Sequence, residues 1–356
     1  MGLDRLRALG WDETFAAALA PWAVNGHEPA RVALEHQHIY RLYTSNGECL
    51  ARVRGRLRHR AAAREAFPAV GDWVAIVPPS SPDGEAVIAA TLPRRSKFSR
   101  KAAGDVTEEQ VVAANIDIVF LVSGLDHDFN LRRIERYLVT AWDGGARPVV
   151  LLNKADLVAD SRAVLAEVEA IAAGAPVHVM SARAQRGLEI FDAYLQPGVT
   201  GAFLGSSGVG KSSLINALLG VDRQRIADVR AHDQRGRHTT THRELLMLPT
   251  GGLLIDTPGM REVQLWEGAL DDAFGDIDAI AAGCQFRDCR HDREPHCAVR
   301  DAVAAGTLAA ARLESFQKLQ RELAFQAVRQ DQQAQIANKR RWRALSKAAR
   351  HHKPRE

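Results

Sequence analysis

The sequence predicts a central α/β domain with a largely parallel sheet, preceded by a small β-barrel and followed by a helical, cysteine-bearing module. Short strand-like runs separated by turn residues fill residues 30–95, and apolar strand runs alternate with helical patterns from residue 111 onward. Three of the four cysteines lie within fourteen residues of the helical C-terminal part. Alternating strands and helices are typical of parallel sheets, and clustered short strands are typical of barrels. The predicted boundaries are 1–29 for an N-terminal extension, 30–105 for the barrel, 106–266 for the α/β domain and 267–356 for the last module with its basic tail.

The first 29 residues are predicted to form a short helical or irregular extension. The barrel that follows has five strand runs, as expected of an OB-fold: RVALEH, HIYRLYT, CLARVRGRLR, DWVAIV and EAVIAAT. In the third run the alternating residues Arg52, Arg54, Arg56, Arg58 and Arg60 would share one face of a straight strand. Such a face suits a nucleic-acid backbone, whereas a merely solvated strand face is the alternative.

Charge is spread unevenly along the chain. The formal net charge is +4, but residues 31–105 hold 13 Lys/Arg against 7 Asp/Glu, and the last nineteen residues hold 8 against 1. Basic ends around an acidic middle indicate a polyanionic partner, nucleic acid above all, and a solvated tail is the alternative. No apolar run reaches the ~18 residues of a membrane span, and the N-terminus lacks a signal-peptide core, so we expect a cytoplasmic protein without membrane association.

Five buried-strand runs build the predicted α/β domain: IDIVFLV (116–122), PVVLLN (148–153), PVHVMS (176–181), TGAFLG (200–205) and GGLLIDT (251–257). Helical patterns are expected at 131–142, 161–173, 187–195 and 211–219. Four of the five strands end in a motif that carries chemistry. Ligands of open α/β sheets bind outside the carboxyl ends of the strands, so these motifs are expected to meet.

The stretch GSSGVGKSS follows a strand, precedes a helix and fits the phosphate-loop pattern. Its glycines allow backbone N–H groups to turn towards phosphate oxygens, and the helix N-terminus adds partial positive charge. Lys211 is expected to reach the β- and γ-phosphates, and Ser212 to ligate Mg²⁺. The predicted binding residues of the loop are Gly205, Ser206, Ser207, Gly208, Val209, Gly210, Lys211, Ser212 and Ser213.

Two further strand ends predict which base is bound. In NKAD, the Asp156 carboxylate can accept hydrogen bonds from guanine N1–H and the N2 amine, a pair that adenine does not offer. Lys154 is expected along the base plane, and Asn153 is expected to tie loops together. MSAR resembles the segment, here Ser181 and Ala182, whose backbone N–H meets guanine O6.

DTPG closes the last strand. Asp256 is expected to hold Mg²⁺ directly or through water, and the Gly259 N–H to contact the γ-phosphate. The chain order is NKAD, SAR, phosphate loop and DTPG, whereas in ordinary GTPases the phosphate loop comes first. The order indicates a circular permutation, with the old ends joined near residues 196–200. The segment after DTPG now leads directly into residues 267–356, so we expect nucleotide-dependent movement to reach that module.

The segment RGRHTTTH, residues 235–242, lies where a first switch is expected. Thr240 or Thr241 should cap Mg²⁺ and the γ-phosphate; spacing does not choose between them, and Thr241 is taken as the candidate Mg²⁺ ligand. Met260 follows DTPG, where many GTPases carry a water-orienting glutamine, and a thioether cannot orient water. His238 is the candidate replacement, and a polar loop residue or a partner contact is the alternative. Without the glutamine, unassisted turnover should be slow.

The stretch CQFRDCRHDREPHC supplies Cys284, Cys289, His291 and Cys297. Three sulfurs and one nitrogen complete a tetrahedral set for one structural Zn²⁺ and leave no open position for catalysis. His296 is a second imidazole that could take the place of His291. Unligated cysteines are the alternative.

Together, these residues resemble the RsgA/YjeQ family of circularly permuted bacterial GTPases over nearly the whole chain. The resemblance rests on the arginine-bearing barrel, the series NKAD…SA…GSSGVGKSS…GRHTTT…DTPG, and CxFRDCxHxxEPxC. It implies a GTPase that is stimulated by the small (30S) ribosomal subunit, acts in late maturation of that subunit, and contacts 16S rRNA through its barrel and zinc module. His238 matches the family's proposed catalytic histidine. We expect a monomer that cycles between GTP and GDP.

A second hypothesis is a GTP-regulated RNA-binding switch that acts on another structured RNA, with incidental hydrolysis. A P-loop ATPase is disfavoured by Asp156.

Overall fold

The computed structural model describes residues 2–36, 39–55, 67–81, 84–101, 109–220, 243–256, 274–321 and 324. They fall into two compact units. One holds the described residues up to Arg100 and from Glu109 to Asp256, and the other holds Lys101 and the described residues from 274 onward. The barrel and the α/β domain share the first unit. Among the described residues, no helix is both long and apolar enough to cross a bilayer.

Helices α1 (Gly2–Ala8) and α2 (Glu13–Ala23) form the N-terminal extension. Asp12 caps α2, because its carboxylate accepts hydrogen bonds from the backbone N–H groups of Thr14 (3.0 Å) and Phe15 (3.2 Å). The Trp11 and Phe15 rings pack on Trp73 of the barrel at centroid distances of 4.7 and 5.8 Å. The extension is therefore part of the core of the first unit.

Five strands close into the predicted barrel: β1 (Glu28–His36), β2 (Ile39–Thr44), β3 (Gly47–Val53), β4 (Trp73–Val77) and β5 (Ala86–Thr91). They pair in the order β1-β2-β3-β5-β4, and a β1–β4 pairing closes the ring. Small and branched side chains fill the interior, among them Ala30, Val32, Leu42, Val74 and Ile88.

The arginine run departs from the expected straight strand, because β3 ends at Val53. The pairing of β3 with β2 ends at Arg52, and its pairing with β5 ends at Val53. The Arg54 N–H still donates to the Ile88 carbonyl at 3.0 Å, and Gly55 already has helical conformation. Arg52 lies in β3 and pairs with Glu85 (Nε–Oε2 2.6 Å), and Arg54 follows the strand. Arg56, Arg58 and Arg60 lie outside the described residues. Of the two arginines that the structure describes, Arg52 therefore lies in the strand and Arg54 lies beyond its end.

The α/β sheet contains every predicted strand. Its strands are β8 (Ile118–Gly124), β9 (Arg147–Asn153), β10 (Val177–Val179), β11 (Thr200–Leu204), β12 (Glu244–Met247) and β13 (Leu253–Asp256); β6 (Lys97–Lys101) and β7 (Glu109–Ala114) form a separate two-stranded sheet. Strands β10, β9, β8, β11 and β13 are parallel neighbours in that order, and β12 lies antiparallel beside β13. Helices α3 (Leu131–Asp143), α4 (Arg162–Ile171), α5 (Ile190–Tyr194) and α6 (Lys211–Leu219) connect them.

Both faces of this sheet are buried. Along β8, Val119 and Leu121 join one apolar cluster, and Ile118, Phe120 and Val122 join another. Such continuous apolar strands are characteristic of parallel sheets that helices cover on both sides. The burial fixes the register of the strands, and with it the positions of the loops at their carboxyl ends.

The barrel and the α/β sheet are continuous, which the sequence did not indicate. Strand β12 pairs with β1 at Glu244 and Leu34, Arg41 pairs with Glu244, and the Tyr43 hydroxyl donates to the Leu245 carbonyl at 3.2 Å. The buried guanidinium of Arg31 joins further elements. It donates to the carbonyls of Leu9, Gly71 (3.2 Å) and Asn115 (3.1 Å) and to Thr200 Oγ1 (2.8 Å).

The second unit contains helices α7 (Gly275–Ala281) and α8 (Ala298–Ala304) and a helical stretch over 310–321. Arg312 joins α7 to that stretch, since its guanidinium pairs with Asp276 at 2.6 Å and lies 4.8 Å from the Phe274 ring centroid. The basic tail lies outside the part of the chain that the structure describes.

Candidate nucleotide site and metal cluster

The parallel strands bring the predicted nucleotide motifs to one edge of the sheet. The phosphate loop follows β11, Asp256 ends β13, Asn153 ends β9, and Ser181 lies just after β10. Strand β11 lies between β8 and β13, although both neighbours are distant in sequence. The sheet order therefore assembles motifs that the chain presents in a permuted order.

Close packing behind the phosphate loop explains its glycines. A Cβ on Gly205 would lie 2.4 Å from the Val122 carbonyl oxygen, and one on Gly210 would lie 2.3 Å from Asn153 Nδ2. Gly208 and Gly210 have φ angles of +77° and +102°, which favour glycine. Gly210 caps α6 without a side-chain hydrogen bond, and the N-terminus of a helix is a common binding place for an anion. The loop is thus shaped to receive phosphate.

Lys211 folds back over this loop. Its ammonium donates to the carbonyls of Gly205 and Ser206, both at 2.6 Å. The side chains of Ser207, Ser212 and Ser213 are exposed beside it, and Val209 is buried in the core. Lys211 is consequently positioned at the loop that it is predicted to serve.

Asn153 joins the phosphate loop to the Ser-Ala segment. This residue is 2% exposed, and its Nδ2 donates to the Val209 carbonyl at 2.8 Å. Its Oδ1 accepts from the Ala182 N–H at 2.9 Å. Both ends of the amide are used between two loops that come from different strands, so the contacts agree with the tying role expected of Asn153.

Asp156 presents an exposed carboxylate next to Ser181. The Ser181 hydroxyl donates to Asp156 Oδ1, and this hydrogen bond lowers the pKa of the carboxyl group below its usual value. An ionised carboxylate at this position can accept hydrogen bonds from two donors on one edge of a base. Lys154 adopts a left-handed backbone with φ +65°, and its ammonium lies 2.5 Å from Asp126.

Sequence reasoning missed the segment between β8 and α3, where Asp126 contacts Lys154 and Asp128 contacts Ser206 of the phosphate loop. The available signal was the pair of acidic residues directly after a parallel strand. His238, Thr240, Thr241 and Gly259 lie in stretches that the structure does not describe. Of the predicted Mg²⁺ ligands, Ser212 begins α6 and Asp256 ends β13, the strand beside β11.

The second unit brings together Cys284, Cys289, His291 and Cys297, whose ligand atoms all lie within 4.8 Å of one another. Cys284 Sγ lies 3.9 Å from Cys297 Sγ, and His291 Nδ1 lies 3.4 Å from Cys297 Sγ. A tetrahedron with Zn–S bonds of about 2.3 Å and Zn–N bonds of about 2.0 Å has edges of this length. The residues therefore fit one zinc ion. His296 is exposed and outside the group, so His291 is the imidazole of this set.

Glu294 organises the loop that carries His291. Its carboxylate accepts hydrogen bonds from the backbone N–H groups of Arg290 (3.0 Å), Asp292 (2.9 Å) and Arg293 (3.0 Å). Together with its own N–H, which is the largest cause, they lower the pKa of Glu294 to about 2. Gln317 holds the His291 carbonyl at 2.7 Å. Hydrogen bonds with Glu294 and Gln317 thus hold the loop that carries His291.

This fold and site define a class: a circularly permuted P-loop GTPase with an N-terminal barrel and a zinc-binding module. Comparison with known proteins agrees. A family model described as RsgA GTPase matches residues 91–266, and one described as 50S ribosome-binding GTPase matches residues 200–337.

Relatives match along almost the whole chain. The small ribosomal subunit biogenesis GTPase RsgA of Opitutus terrae is 52% identical over 350 residues, which are 96% of this chain and 95% of the relative. RsgA 2 of Lactiplantibacillus plantarum is 48% identical over 88% of both chains. The chain belongs to the RsgA GTPase family and is a GTP-hydrolysing enzyme.

Two solved structures share the fold. The crystal structure of YjeQ from Thermotoga maritima superposes with a TM-score of 0.63 at 28% identity and covers 84% of this chain and 99% of that one. YloQ, described as a circularly permuted GTPase, superposes with a TM-score of 0.60 at 24% identity and covers 84% of this chain and 95% of its own. The permuted order that the motifs predict is confirmed.

Proposed function

We propose that this chain binds GTP at the carboxyl edge of its parallel sheet and hydrolyses it while docked on the small ribosomal subunit. One observation carries the first part: Asn153 joins the phosphate loop to the Ser-Ala segment, so NKAD, SAR and GSSGVGKSS form a single site. The second part is supported by relatives that are named for biogenesis of the small ribosomal subunit and match 96% and 88% of this chain.

In the proposed site, the Asp156 carboxylate reads guanine N1–H and N2, and the Ala182 N–H meets O6. The backbone of residues 205–213 and Lys211 hold the phosphates. Ser212 and Asp256 would hold Mg²⁺, which would supply electrostatic stabilisation to the charged phosphates during hydrolysis. Thr241 or Thr240 and the Gly259 N–H are proposed to contact the γ-phosphate.

His238 is the proposed water-orienting residue, since Met260 occupies the position after DTPG and offers no suitable hydrogen bond. We infer that the docked subunit stimulates hydrolysis through His238, so hydrolysis is fast only on the partner. Substitution of His238 by Ala should leave GTP affinity intact and reduce stimulated turnover by about 100-fold or more. The matched control is His242→Ala in the same segment, and equal losses in both variants would contradict the role.

The proposed docking partner within the subunit is 16S rRNA, contacted by the barrel and the basic C-terminal end. Residues 31–105 carry an excess of Lys/Arg, and so do the last nineteen residues. These cations would replace counterions on RNA phosphates. We further propose that the protein is a monomer and acts in the cytoplasm, where ribosomal subunits mature.

The test is GTP turnover with and without purified small subunits, over a range of salt concentrations. We expect strong stimulation at low salt that falls steeply as salt is raised, because several phosphate contacts contribute. Absence of stimulation at low salt would contradict the proposal. Equal stimulation by an unrelated structured RNA would instead favour a general RNA-binding switch.

A further inference from the structure

We propose that the segment between β8 and α3, residues 125–130, positions both halves of the nucleotide site through Asp126 and Asp128. The inference rests on the proposed function, because it concerns residues that act on the proposed binding residues. Asp126 holds Lys154 of the guanine loop, and Asp128 holds Ser206 of the phosphate loop. Neither carboxylate is assigned to the nucleotide itself, so both are positioning residues.

The contact on the base side is an ion pair. Asp126 Oδ2 lies 2.5 Å from Lys154 Nζ, and the two side chains are 13% and 27% exposed. The ammonium holds the pKa of Asp126 below its usual value, so the carboxylate is ionised at neutral pH. The Leu125 N–H also donates to the Asn153 carbonyl at 2.8 Å. Both main chain and side chain thus tie the segment to the NKAD loop.

The contact on the phosphate side has three members. Arg133 Nη1 lies 2.6 Å from Asp128 Oδ2 and donates to Ser206 Oγ at 2.9 Å, and the Ser206 hydroxyl in turn donates to Asp128. The Ser206 carbonyl accepts from Lys211. This triad fixes the Ser206 side chain. Through the Ser206 carbonyl, it also sets the position of the Lys211 ammonium.

The two contacts are linked within the segment. Asp126 Oδ1 accepts from the Asp128 N–H at 3.2 Å, so a single turn sets the positions of both carboxylates. A Cβ on Gly124 would lie 2.8 Å from Asp126 Oδ1, so glycine at the end of β8 leaves room for that turn. The geometry points to one element that sets the spacing between the base loop and the phosphate loop.

The experiment is a pair of double-mutant cycles on GDP affinity. Asp126→Asn and Lys154→Met should each weaken binding about tenfold, since a charge-assisted hydrogen bond is lost, and the double variant should be no weaker than Lys154→Met alone. Asp128→Asn and Ser206→Ala, the pair on the phosphate side, should behave in the same way. Gly124→Ala displaces the Asp126 carboxylate without removing its charge and should reproduce part of the Asp126→Asn effect.

The matched control is Asp160→Asn, which breaks a carboxylate–guanidinium pair with Arg162 on the surface (2.8 Å) and should leave GDP affinity unchanged. If the losses in either cycle are additive, that carboxylate does not act through its partner and the inference fails while GDP binding stands. Absence of GDP binding by the unmodified protein would overturn the proposed function and this inference together.

Discussion

The nucleotide site and the metal cluster are built in opposite ways. The first collects residues from the ends of five parallel strands, from Asp126 to Asp256, whereas the second takes all four ligands from residues 284–297. In the first, a buried sheet sets the positions of the loops, and Asn153 and the glycines fix how closely they approach. In the second, one short loop carries every ligand.

The two constructions differ in how far each depends on its ligand. A site held by a sheet keeps its shape without nucleotide, because the packing of β8 and β11 does not involve the ligand. A cluster of three sulfurs and an imidazole in a small helical unit draws folding energy from the ion, which contributes ~10–16 kcal/mol in small zinc domains. Loss of zinc should therefore unfold the second unit, whereas loss of nucleotide should leave the structure of the first unit intact.

The largest expected effect sharpens this contrast. Cys297→Ser removes a ligand that is 2% exposed. We expect loss of about one zinc per chain and loss of hydrogen-exchange protection over residues 274–321, with GDP affinity of the first unit retained. The control is Cys49→Ser in β3, which should keep its zinc. Full protection of residues 274–321 in zinc-free Cys297→Ser protein would mean that the second unit does not depend on zinc for its folding.

Gly210→Ala tests the preorganised site. The added Cβ would clash with Asn153 Nδ2, and the alanine would have to adopt a φ angle of +102°, which is strained for any residue with a side chain. The strain and the displaced amide together cost about 3 kcal/mol, which corresponds to a loss of roughly 100-fold in GDP affinity. Gly174→Ala is the control for backbone strain alone, because Gly174 also has a positive φ of +84° but an added Cβ there would meet no atom within 4 Å. Equal affinities of the two variants would contradict the close-packing argument.

Asn153→Ala removes the amide between the phosphate loop and the Ser-Ala segment. Two buried groups, the Val209 carbonyl and the Ala182 N–H, lose their partner, and each costs about 1 kcal/mol. Isothermal titration with GDP should show a loss of about tenfold to thirtyfold. Asn46→Ala in the β2–β3 turn is the control. An unchanged affinity for Asn153→Ala would mean that the sheet alone holds the loops together.

The smallest effect concerns the junction between barrel and sheet. Tyr43→Phe removes the hydroxyl that donates to the Leu245 carbonyl and should cost about 1 kcal/mol. We expect a lowering of the melting temperature by about 2–4 °C, with GDP affinity and zinc content unchanged. A simultaneous loss of zinc would show that the two units do not respond independently.

Sequence reasoning reached the motifs because each has a local signature. A glycine loop before a helix, NKAD after an apolar run and a compact set of zinc ligands require few residues. The strands were found for the same reason, since their apolar runs are continuous.

The remaining features depend on contacts between distant residues. Arg31 in the barrel bonds with Thr200 of β11, and β1 pairs with β12, yet nothing local in either stretch indicates the partner. The arginine strand was predicted too long at Arg54, because the length of a strand is set by its pairing with neighbouring strands, and the pairing of β3 with β5 ends at Val53. The roles of Asp126 and Asp128 required knowing that β8 lies beside both β9 and β11.

The most direct measurement concerns the claim that motifs in permuted order form one guanine site. Asp156→Asn exchanges an acceptor for an amide that matches xanthine, and GDP and XDP affinities are compared for this variant and for the unmodified protein. We expect GDP affinity to fall by roughly 100-fold and XDP affinity to rise, with Asp160→Asn unchanged. A variant that still prefers GDP as strongly as the unmodified protein would contradict the account.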